Sequence, residues 1–315
     1  MFAINAVMTF RIILAIIALM SYRVSLSSVT EPHQAVKGDV LTIVGGKPLH
    51  GEVLVRGAKN SISKIMVASL LTSEPCVLHN VSDIEDVGIV SKMIEALGGH
   101  VQNNGEGTLT LQTKEIKMIL PEALHSIASK SRIPILFAGP MLARLHEALV
   151  PELGGCNIGN RPVNYHLKAL EQLGAGVETI SSGYHLATPK LVGAKIHLDF
   201  PSVGATEQVL LAAVLSEGKT ELSNAAIEPE IMDLIAVLQK MGAIISVDTD
   251  RAITIVGVKE MRGFTHTAMT DRMEVASWAC AAFATNGKIF VRGARQLDMM
   301  TFLNKFRQIG GMFEI

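Results

Sequence analysis

One helix-ending signal occurs four times in this chain. Each copy is a short helical pattern that stops at a glycine, and the four glycines are Gly98, Gly174, Gly242 and Gly310. They lie 76, 68 and 68 residues apart. A glycine after the last helical turn adopts the left-handed conformation that ends a helix, and a long regular period indicates a repeated structural unit. The chain is therefore predicted to contain four versions of one unit.

Short β-like runs mark where each unit begins and ends. Three of the four helix endings follow such a run, at 77–78, 221–222 and 289–291, and a strand-like segment follows most of the glycines. A helix between two strands, ended by glycine before the chain turns, is a strand-helix-strand module. The fold class is therefore predicted to be α/β.

Each unit also contains an earlier helix that is apolar nearly all round. These segments are 62–71, 133–142, 209–215 and 275–284, and each has polar residues at its N-terminal edge. A helix without a polar face is buried. We expect a bundle of these helices inside the fold and sheets outside it.

Composition and charge exclude several classes of protein. Hydrophobic residues make up 49% of the 315 residues, which is too many for a disordered chain. The formal net charge is −1 without a long run of either sign, so a nucleic-acid interface is not indicated. Three cysteines, Cys76, Cys156 and Cys280, argue against a disulfide framework and for a reducing compartment. No zinc spacing occurs, and neither a metal nor a cofactor is predicted.

The first residues differ from the rest of the chain. An apolar run, 12–20, follows Arg11 and is too short to span a membrane, although it matches the core of a signal peptide in length. No small-residue cleavage site is evident around 23–28. We favour an upstream start or a dispensable extension over a signal sequence, with a polar linker up to Gly38.

Cys156 lies in a glycine-rich segment, 154–162. Its glycines allow the backbone to approach a ligand closely, and Pro162 suits the first position of a following helix. The free N–H groups of that helix, together with Arg161, would form an anion site and favour the thiolate of Cys156. A reactive thiol that faces a phosphate is one interpretation. An inert cysteine in a surface turn is the other, and the segment alone leaves both open.

Two further cations stand at the starts of the apolar helices. If the units pack around an axis, Lys59, Arg132 and the backbone of 202–204 approach the Cys156 loop. Taken singly, each cation also fits the role of an ordinary solvated side chain. Their convergence is therefore an expectation that depends on the packing of the units.

Four motifs together resemble one family, the UDP-N-acetylglucosamine 1-carboxyvinyltransferases, which are enolpyruvyl transferases. The motifs lie at 57–60, 154–166, 202–206 and 224–231, and the resemblance runs from about Val40 to the last residue. It implies transfer of the enolpyruvyl group of phosphoenolpyruvate to the 3-hydroxyl of UDP-N-acetylglucosamine with release of phosphate, the first committed step of peptidoglycan synthesis. It also implies an inside-out α/β barrel fold built from repeated βαβαββ units, with four of the family's six present.

The resemblance assigns roles to individual residues. Cys156 matches the cysteine that protonates the methylene carbon of phosphoenolpyruvate and is the target of fosfomycin, while Lys59, Arg132 and Arg161 match cations around that substrate. Matched contacts to the nucleotide sugar are Asn60, Arg161, Pro162, Val163, Asn164, His166, Ser202, Val203 and Gly204. His166 equally fits a helix-packing role. Asn164 replaces an expected aspartate, and Pro134 is expected to displace the start of the second buried helix by a few residues.

The family resemblance also implies a domain division. We expect an extension at 1–38, a strand region of a second domain at 39–57, a first catalytic domain of three units at 58–269, and part of the second domain at 270–315. In the family the chain continues for two more units, which carry the proposed general base, an aspartate, and further arginines. Enolpyruvyl transfer by residues 1–315 alone is therefore expected to be slow.

Two alternatives remain from the sequence. One is a non-catalytic protein that only binds the nucleotide sugar. The other is the related transferase that acts on shikimate 3-phosphate, against which the Cys156 loop argues. The expected partners are the two small-molecule substrates, without nucleic acid or stable membrane association, and the expected location is cytoplasmic.

Overall fold

The computed structural model describes residues 25–26, 41–42, 45–120, 126–154 and 163–315. The strands are β1 Ser25–Leu26, β2 Leu41–Thr42, β3 His50–Leu54, β4 Cys76–His79, β5 His100–Asn103, β6 Leu109–Gln112, β7 Glu147–Pro151, β8 Gly176–Ile180, β9 Gly183–Ala187, β10 Lys195–His197, β11 Lys219–Ser223, β12 Ile244–Val247, β13 Ile253–Val256, β14 Thr265–Thr267 and β15 Lys288–Arg292. The helices are α1 Lys59–Ala68, α2 Glu85–Ala96, α3 Ala138–Leu145, α4 Asn164–Gln172, α5 Val203–Ala213, α6 Pro229–Lys240, α7 Arg272–Ala284 and α8 Gln296–Gln308.

The chain forms two compact units. One joins the segment that ends at Val55 to the segment that starts at Thr270, and the other is Arg56–Met269. Apart from Ser25–Leu26, the proposed extension at 1–38 lies outside the described residues. No helix among the residues that the structure describes is long and apolar enough to cross a membrane.

The described residues of the larger unit form three sheets, and two of these sheets have the same topology. In one, the strand order is β14-β4-β6-β5, and in the other it is β10-β11-β13-β12. In both, the first pair is parallel and the remaining neighbours are antiparallel. The third sheet is the antiparallel ladder β7-β9-β8. This recurrence of strand order confirms the repeat that the glycine spacing predicts.

Helices form the centre of the larger unit. In α1 every residue from Ser61 to Ala68 is buried, and in α5 every residue from Ala205 to Ala213 is buried. The helix α5 packs against α3, α4 and α6. Burial of apolar side chains at about 25 cal/mol per Å² is the main favourable contribution to such a core. The expected arrangement of buried helices within sheets is thus observed in this unit.

All four repeated glycines end a helix in the same way. Their φ angles are 92° at Gly98, 97° at Gly174, 102° at Gly242 and 94° at Gly310. In the first copy the N–H of Gly98 donates to Glu95 O and that of Gly99 donates to Ile94 O. The other three copies repeat both bonds. This is the Schellman arrangement, in which two otherwise unpaired helix carbonyls are satisfied. The sequence prediction of the four helix ends is confirmed.

Two helix starts differ from the simplest sequence pattern. Residues Ile133–Phe137 form a 3-10 turn and α3 starts only at Ala138, as expected from the proline at position 134. The helix that follows the cysteine loop begins at Asn164 with Val163 before it. The prediction that this helix starts at Pro162 is therefore wrong by two residues, because the backbone of Val163 is not yet helical.

Among its described residues, the smaller unit contains the helix pair α7 and α8. Strand β15 pairs in parallel with β3, and Val55, Val275 and Met299 form its buried cluster. Only three residues of α7 are buried, Val275, Ala281 and Ala282. The prediction that this helix is buried nearly all round is therefore wrong for the residues described. Helix α7 contacts α8 and β15 on one side, whereas α1 and α5 are enclosed by other helices.

Candidate functional site

Three of the sequence-predicted segments begin helices of the larger unit. Lys59 is the first residue of α1, Arg132 immediately precedes the 3-10 turn, and Ser202 precedes α5. The Ser202 hydroxyl accepts a hydrogen bond from the N–H of Ala205 at 3.3 Å. Unpaired N–H groups and the helix dipole make such positions favourable for anions.

Asp86 connects two of these segments. Its Oδ2 lies 2.7 Å from Lys59 Nζ, and its Oδ1 accepts a hydrogen bond of 2.8 Å from the hydroxyl of Ser131. Burial raises the pKa of Asp86, but the hydrogen bonds from Lys59 and Ser131 outweigh it, so the pKa lies below its ordinary value. One carboxylate therefore ties Lys59 to the residue that precedes Arg132.

Sequence reasoning missed Asp86. The only signal available was an acidic residue in the first turn of α2, a position that acidic residues favour for the helix dipole alone. Its two partners are 27 and 45 positions away in the chain, so the contacts depend on tertiary packing.

His166 and Gly204 lie against each other. A Cβ built at Gly204 would lie 2.8 Å from both Cε1 and Nε2 of the His166 ring. Burial lowers the pKa of His166 to about 4; Gln208 raises it and the charge of Arg132 lowers it further. The imidazole is therefore neutral at pH 7. Its buried Nδ1 has no hydrogen-bond partner among the described residues.

Arg132 also lines a cleft formed in part by residues that flank the cysteine loop in the sequence. The cleft has a volume of about 350 Å³, and its lining includes Glu152 and Leu153, which precede the loop in the sequence, and Val163, which follows it. Cys156, Arg161 and Pro162 themselves lie outside the described residues. The described part of the site is thus formed by residues outside the loop.

The remaining predicted contacts differ in exposure. Asn60 and Asn164 are exposed, and Lys59 is 60% exposed along its side chain despite its ion pair. Val163 is buried. Exposed amides at helix starts are accessible to a ligand.

The other two cysteines are poor candidates for a reactive thiol. Burial raises the pKa of the Cys76 thiol to about 11, partly offset by the N–H of Phe264, and burial also raises the pKa of Cys280. Since the thiolate is the nucleophile, both side chains are expected to react slowly. Within 45–120, 126–154 and 163–315, no three His, Cys, Asp or Glu side chains are grouped as metal ligands.

The fourth sequence motif contributes to a buried acidic group. Pro229 starts α6, and the next residue, Glu230, is buried. On α5, Glu207 is almost fully buried with Lys64 as its nearest cation, at 3.9 Å. Burial raises the pKa of Glu207 to about 7; Lys64 lowers it, while Glu230 and Glu228 raise it. The sequence analysis missed this acidic group. Glu207 directly follows the motif at 202–206, which was interpreted only as a contact to the nucleotide sugar.

Replacing Gly204 with alanine is expected to destabilise the larger unit by about 1–3 kcal/mol, because the new methyl group would displace the His166 ring. Gly88 in α2 is the matched control. A Cβ there meets nothing within 4 Å, and Gly88→Ala should stabilise by about 0.5–1 kcal/mol. Urea unfolding measures both changes. Equal stabilities of the two variants would contradict the contact between Gly204 and the His166 ring. The double variant Gly204→Ala/His166→Ala should recover part of the stability that Gly204→Ala loses, because the ring that the methyl group displaces is absent.

Comparison with known proteins shows close relatives. The chain is 45% identical over 285 residues to the UDP-N-acetylglucosamine 1-carboxyvinyltransferase of Protochlamydia amoebophila (strain UWE25), covering 88% of this chain and 61% of the relative. It is 42% identical over 278 residues to the protein of the same name from Chlamydia pneumoniae, covering 87% and 60%. The chain thus spans about three fifths of the length of these relatives.

A solved structure has the same fold. The enolpyruvyl transferase NikO from Streptomyces tendae superposes with a TM-score of 0.66 at 23% sequence identity, covering 75% of this chain and 56% of that one. The prediction of the inside-out α/β barrel fold class is confirmed. The sequence also matches the EPSP synthase (3-phosphoshikimate 1-carboxyvinyltransferase) family over residues 43–314. Because this match covers most of the chain, and the relatives named above carry the name that the motifs suggested, the chain belongs to this family of enolpyruvyl transferases.

Proposed function

We propose that this chain acts in the transfer of the enolpyruvyl group from phosphoenolpyruvate to the 3-hydroxyl of UDP-N-acetylglucosamine, with release of phosphate. The observation that carries the proposal is the link through Asp86, which holds Lys59 beside the segment of Arg132. A phosphate that leaves as a dianion needs several cations at one place. The names of the relatives support the same reaction.

The proposed chemistry divides between a proton donor and the cations. Cys156 donates its proton to the methylene carbon of phosphoenolpyruvate, which is general-acid catalysis. Positive charge then develops at the neighbouring carbon, where the sugar hydroxyl attacks. Lys59, Arg132 and Arg161 bind the phosphoryl and carboxylate oxygens, and their charge stabilises the leaving phosphate.

The nucleotide sugar is proposed to bind at the start of α5 and beside α4. The N–H groups of Val203 and Gly204, in the first turn of α5, are proposed to face the diphosphate, whereas the Ser202 N–H donates to Phe200 O at 2.6 Å. His166 is neutral at pH 7, so it can exchange hydrogen bonds with the sugar or uracil without adding charge. Asn60, Pro162, Val163 and Asn164 complete the proposed contacts.

The proposed cellular role is the first committed step of peptidoglycan synthesis, in the cytoplasm. An odd number of cysteines, with the described two buried or half-buried and unpaired, supports a reducing compartment. No cofactor or metal is part of the proposal.

Calorimetry with the 315-residue chain tests the proposal. UDP-N-acetylglucosamine is expected to bind and shikimate 3-phosphate is not. Arg161→Ala should weaken binding of the nucleotide sugar by about 2 kcal/mol, because a charge-assisted contact to phosphate is lost. Arg262→Ala, which removes an exposed arginine, is the control and should bind as the wild type does.

A phosphate-release assay separates the transferase from the alternative of a binding protein. Phosphate release that requires both substrates, and that falls at least about 100-fold in Cys156→Ser, supports the transferase. Because transfer by residues 1–315 alone is expected to be slow, binding of the nucleotide sugar without any phosphate release, even over long incubation at high chain concentration, favours the binding protein. Tighter binding of shikimate 3-phosphate than of UDP-N-acetylglucosamine would contradict both the transferase and the binding-protein alternative.

A further inference from the structure

The Lys59 ammonium sits at the end of a long flexible stem and yet has a fixed neighbour. Its Nζ lies 2.7 Å from Asp86 Oδ2, while the lysine side chain is 60% exposed and the aspartate side chain only 16% exposed. A lysine side chain in solvent samples many rotamers, so an unanchored ammonium is spread over a large volume. The half-buried partner therefore restricts the position of the exposed cation.

Asp86 is itself held from the other side. Its Oδ1 accepts the hydrogen bond of Ser131, which is 2.8 Å long, and Ser131 is buried. The Ser131 hydroxyl also accepts a bond from the N–H of Ile133 at 3.3 Å, across Arg132. The carboxylate is thus anchored to the backbone turn that presents Arg132.

We propose that Asp86 is a positioning residue, which sets the distance between Lys59 and Arg132 and so prepares the site for phosphoenolpyruvate. This inference rests on the proposed function. Asp86 does not touch the substrate in this proposal. Its role is to fix one cation relative to the other, so that less freedom is lost when the phosphate binds.

The two effects of the carboxylate on an anionic substrate have opposite signs. Its negative charge repels phosphate, whereas its anchoring of Lys59 favours phosphate binding. Asparagine keeps one oxygen that can accept from Lys59 and removes the charge, while alanine removes both. The two substitutions therefore separate position from charge.

The experiment measures phosphoenolpyruvate binding by calorimetry to the 315-residue chain saturated with UDP-N-acetylglucosamine. Asp86→Ala is expected to weaken phosphoenolpyruvate binding about 10-fold, and Asp86→Asn should stay within about 3-fold of the wild type. Nucleotide-sugar affinity should change less than about 2-fold in both. Glu85→Gln is the matched control, because Glu85 precedes Asp86 on α2 but is 73% exposed; it should bind as the wild type does.

A double-mutant cycle tests whether the effect passes through Lys59. In the Lys59→Ala background, Asp86→Ala should cause no further loss of phosphoenolpyruvate binding, since the cation to be positioned is absent. Equal losses in both backgrounds would indicate a merely structural role and overturn the inference. So would tighter binding by Asp86→Ala and Asp86→Asn, which would mean that charge dominates.

Two outcomes distinguish this inference from the proposed function. If the wild type binds neither substrate, the proposed function is overturned and the positioning role falls with it. If the wild type binds both and Asp86→Ala binds equally well, only the positioning role is overturned. If Asp86→Ala fails to fold, Ser131→Ala is used instead, because it removes the hydrogen bond between Ser131 and Asp86. It is expected to weaken phosphoenolpyruvate binding about 3-fold.

Discussion

Replacing Arg144 with alanine is expected to lower the free energy of unfolding by about 3–5 kcal/mol. The guanidinium is within hydrogen-bond distance of four backbone carbonyls: the two N–H groups of Nη1 are shared among Leu70 at 3.1 Å, Thr72 at 3.2 Å and Thr113 at 2.9 Å, and Nη2 donates to Lys114 at 2.9 Å. Hydrogen bonds to a charged group each contribute about 1.5–3 kcal/mol. The expected loss is smaller than the sum for four such bonds, because Nη1 has two hydrogens for three carbonyls and because water can replace part of the bonds in the variant.

The position of Arg144 explains why one side chain has so large an effect. It lies in the last turn of α3 and joins the end of the first repeat's buried helix to the segment after β6. Burial also lowers the pKa of Arg144 from its ordinary value, which indicates that the charge is partly removed from water. Truncation therefore disconnects three elements at once.

Urea unfolding followed by circular dichroism measures the loss. Arg144→Lys should recover less than roughly half of it, because an ammonium cannot reproduce the planar fork of donors. Arg262→Ala, at an exposed site, is the control and should stay within about 0.5 kcal/mol of the wild type. A loss below about 1 kcal/mol in Arg144→Ala would contradict the role given to the four hydrogen bonds.

The sequence predicted the repeated features of this fold because their causes are local. A glycine with positive φ ends each repeated helix, and the bonds that satisfy the last carbonyls span only a few residues. The strands predicted before three of those helices are present as β4, β11 and β15. These features are determined by residues close to them in the sequence and do not depend on the neighbouring units.

Burial of a whole helix was predicted less well, because it depends on what packs around the helix. Both α5 and α7 contain long apolar runs, yet among the described residues α5 packs against three helices, whereas α7 packs mainly against α8 and β15. Phe283 of α7 is 44% exposed. An apolar helix reveals its preference for burial, but the partners that provide burial are encoded elsewhere in the chain.

The residues of the candidate site show the same contrast between local signals and tertiary packing. Motifs in the sequence indicated Lys59, Arg132 and Gly204. Glu207 carried no recognisable signal, and Asp86 only that of an acidic residue in the first turn of a helix. Their contacts arise only when α1, α2 and α5 are packed together. Contacts of this kind join distant parts of the chain, so periodicity and motif spacing do not show them.

Glu207 should make the stability of the larger unit depend on pH. Its pKa is raised by burial from 4.5 to about 7, so the folded chain binds the proton more tightly than the unfolded chain. Folding therefore takes up a proton between about pH 4.5 and 7. The stabilisation is fully present below pH 4.5 and is lost as the pH rises through 7.

Replacing Glu207 with glutamine should remove this dependence, because glutamine resembles the protonated side chain at every pH. A shift of this size corresponds to about 3 kcal/mol. The variant is thus expected to exceed the wild type in unfolding free energy by about 3 kcal/mol at pH 8 and by about 1 kcal/mol at pH 5. Urea unfolding at both pH values gives the difference, in which the contributions of other titrating groups cancel.

Lys64→Met provides the companion variant. Lys64 lies 3.9 Å from Glu207 and lowers its pKa, so its removal should raise that pKa further and extend the fall in stability to higher pH. The double variant Lys64→Met/Glu207→Gln should show neither effect. If the advantage of Glu207→Gln over the wild type is the same at pH 5 and pH 8, Glu207 does not titrate between these values in the folded chain. Its burial beside Lys64 would then leave it ionised throughout, which requires a stronger ion pair than 3.9 Å allows.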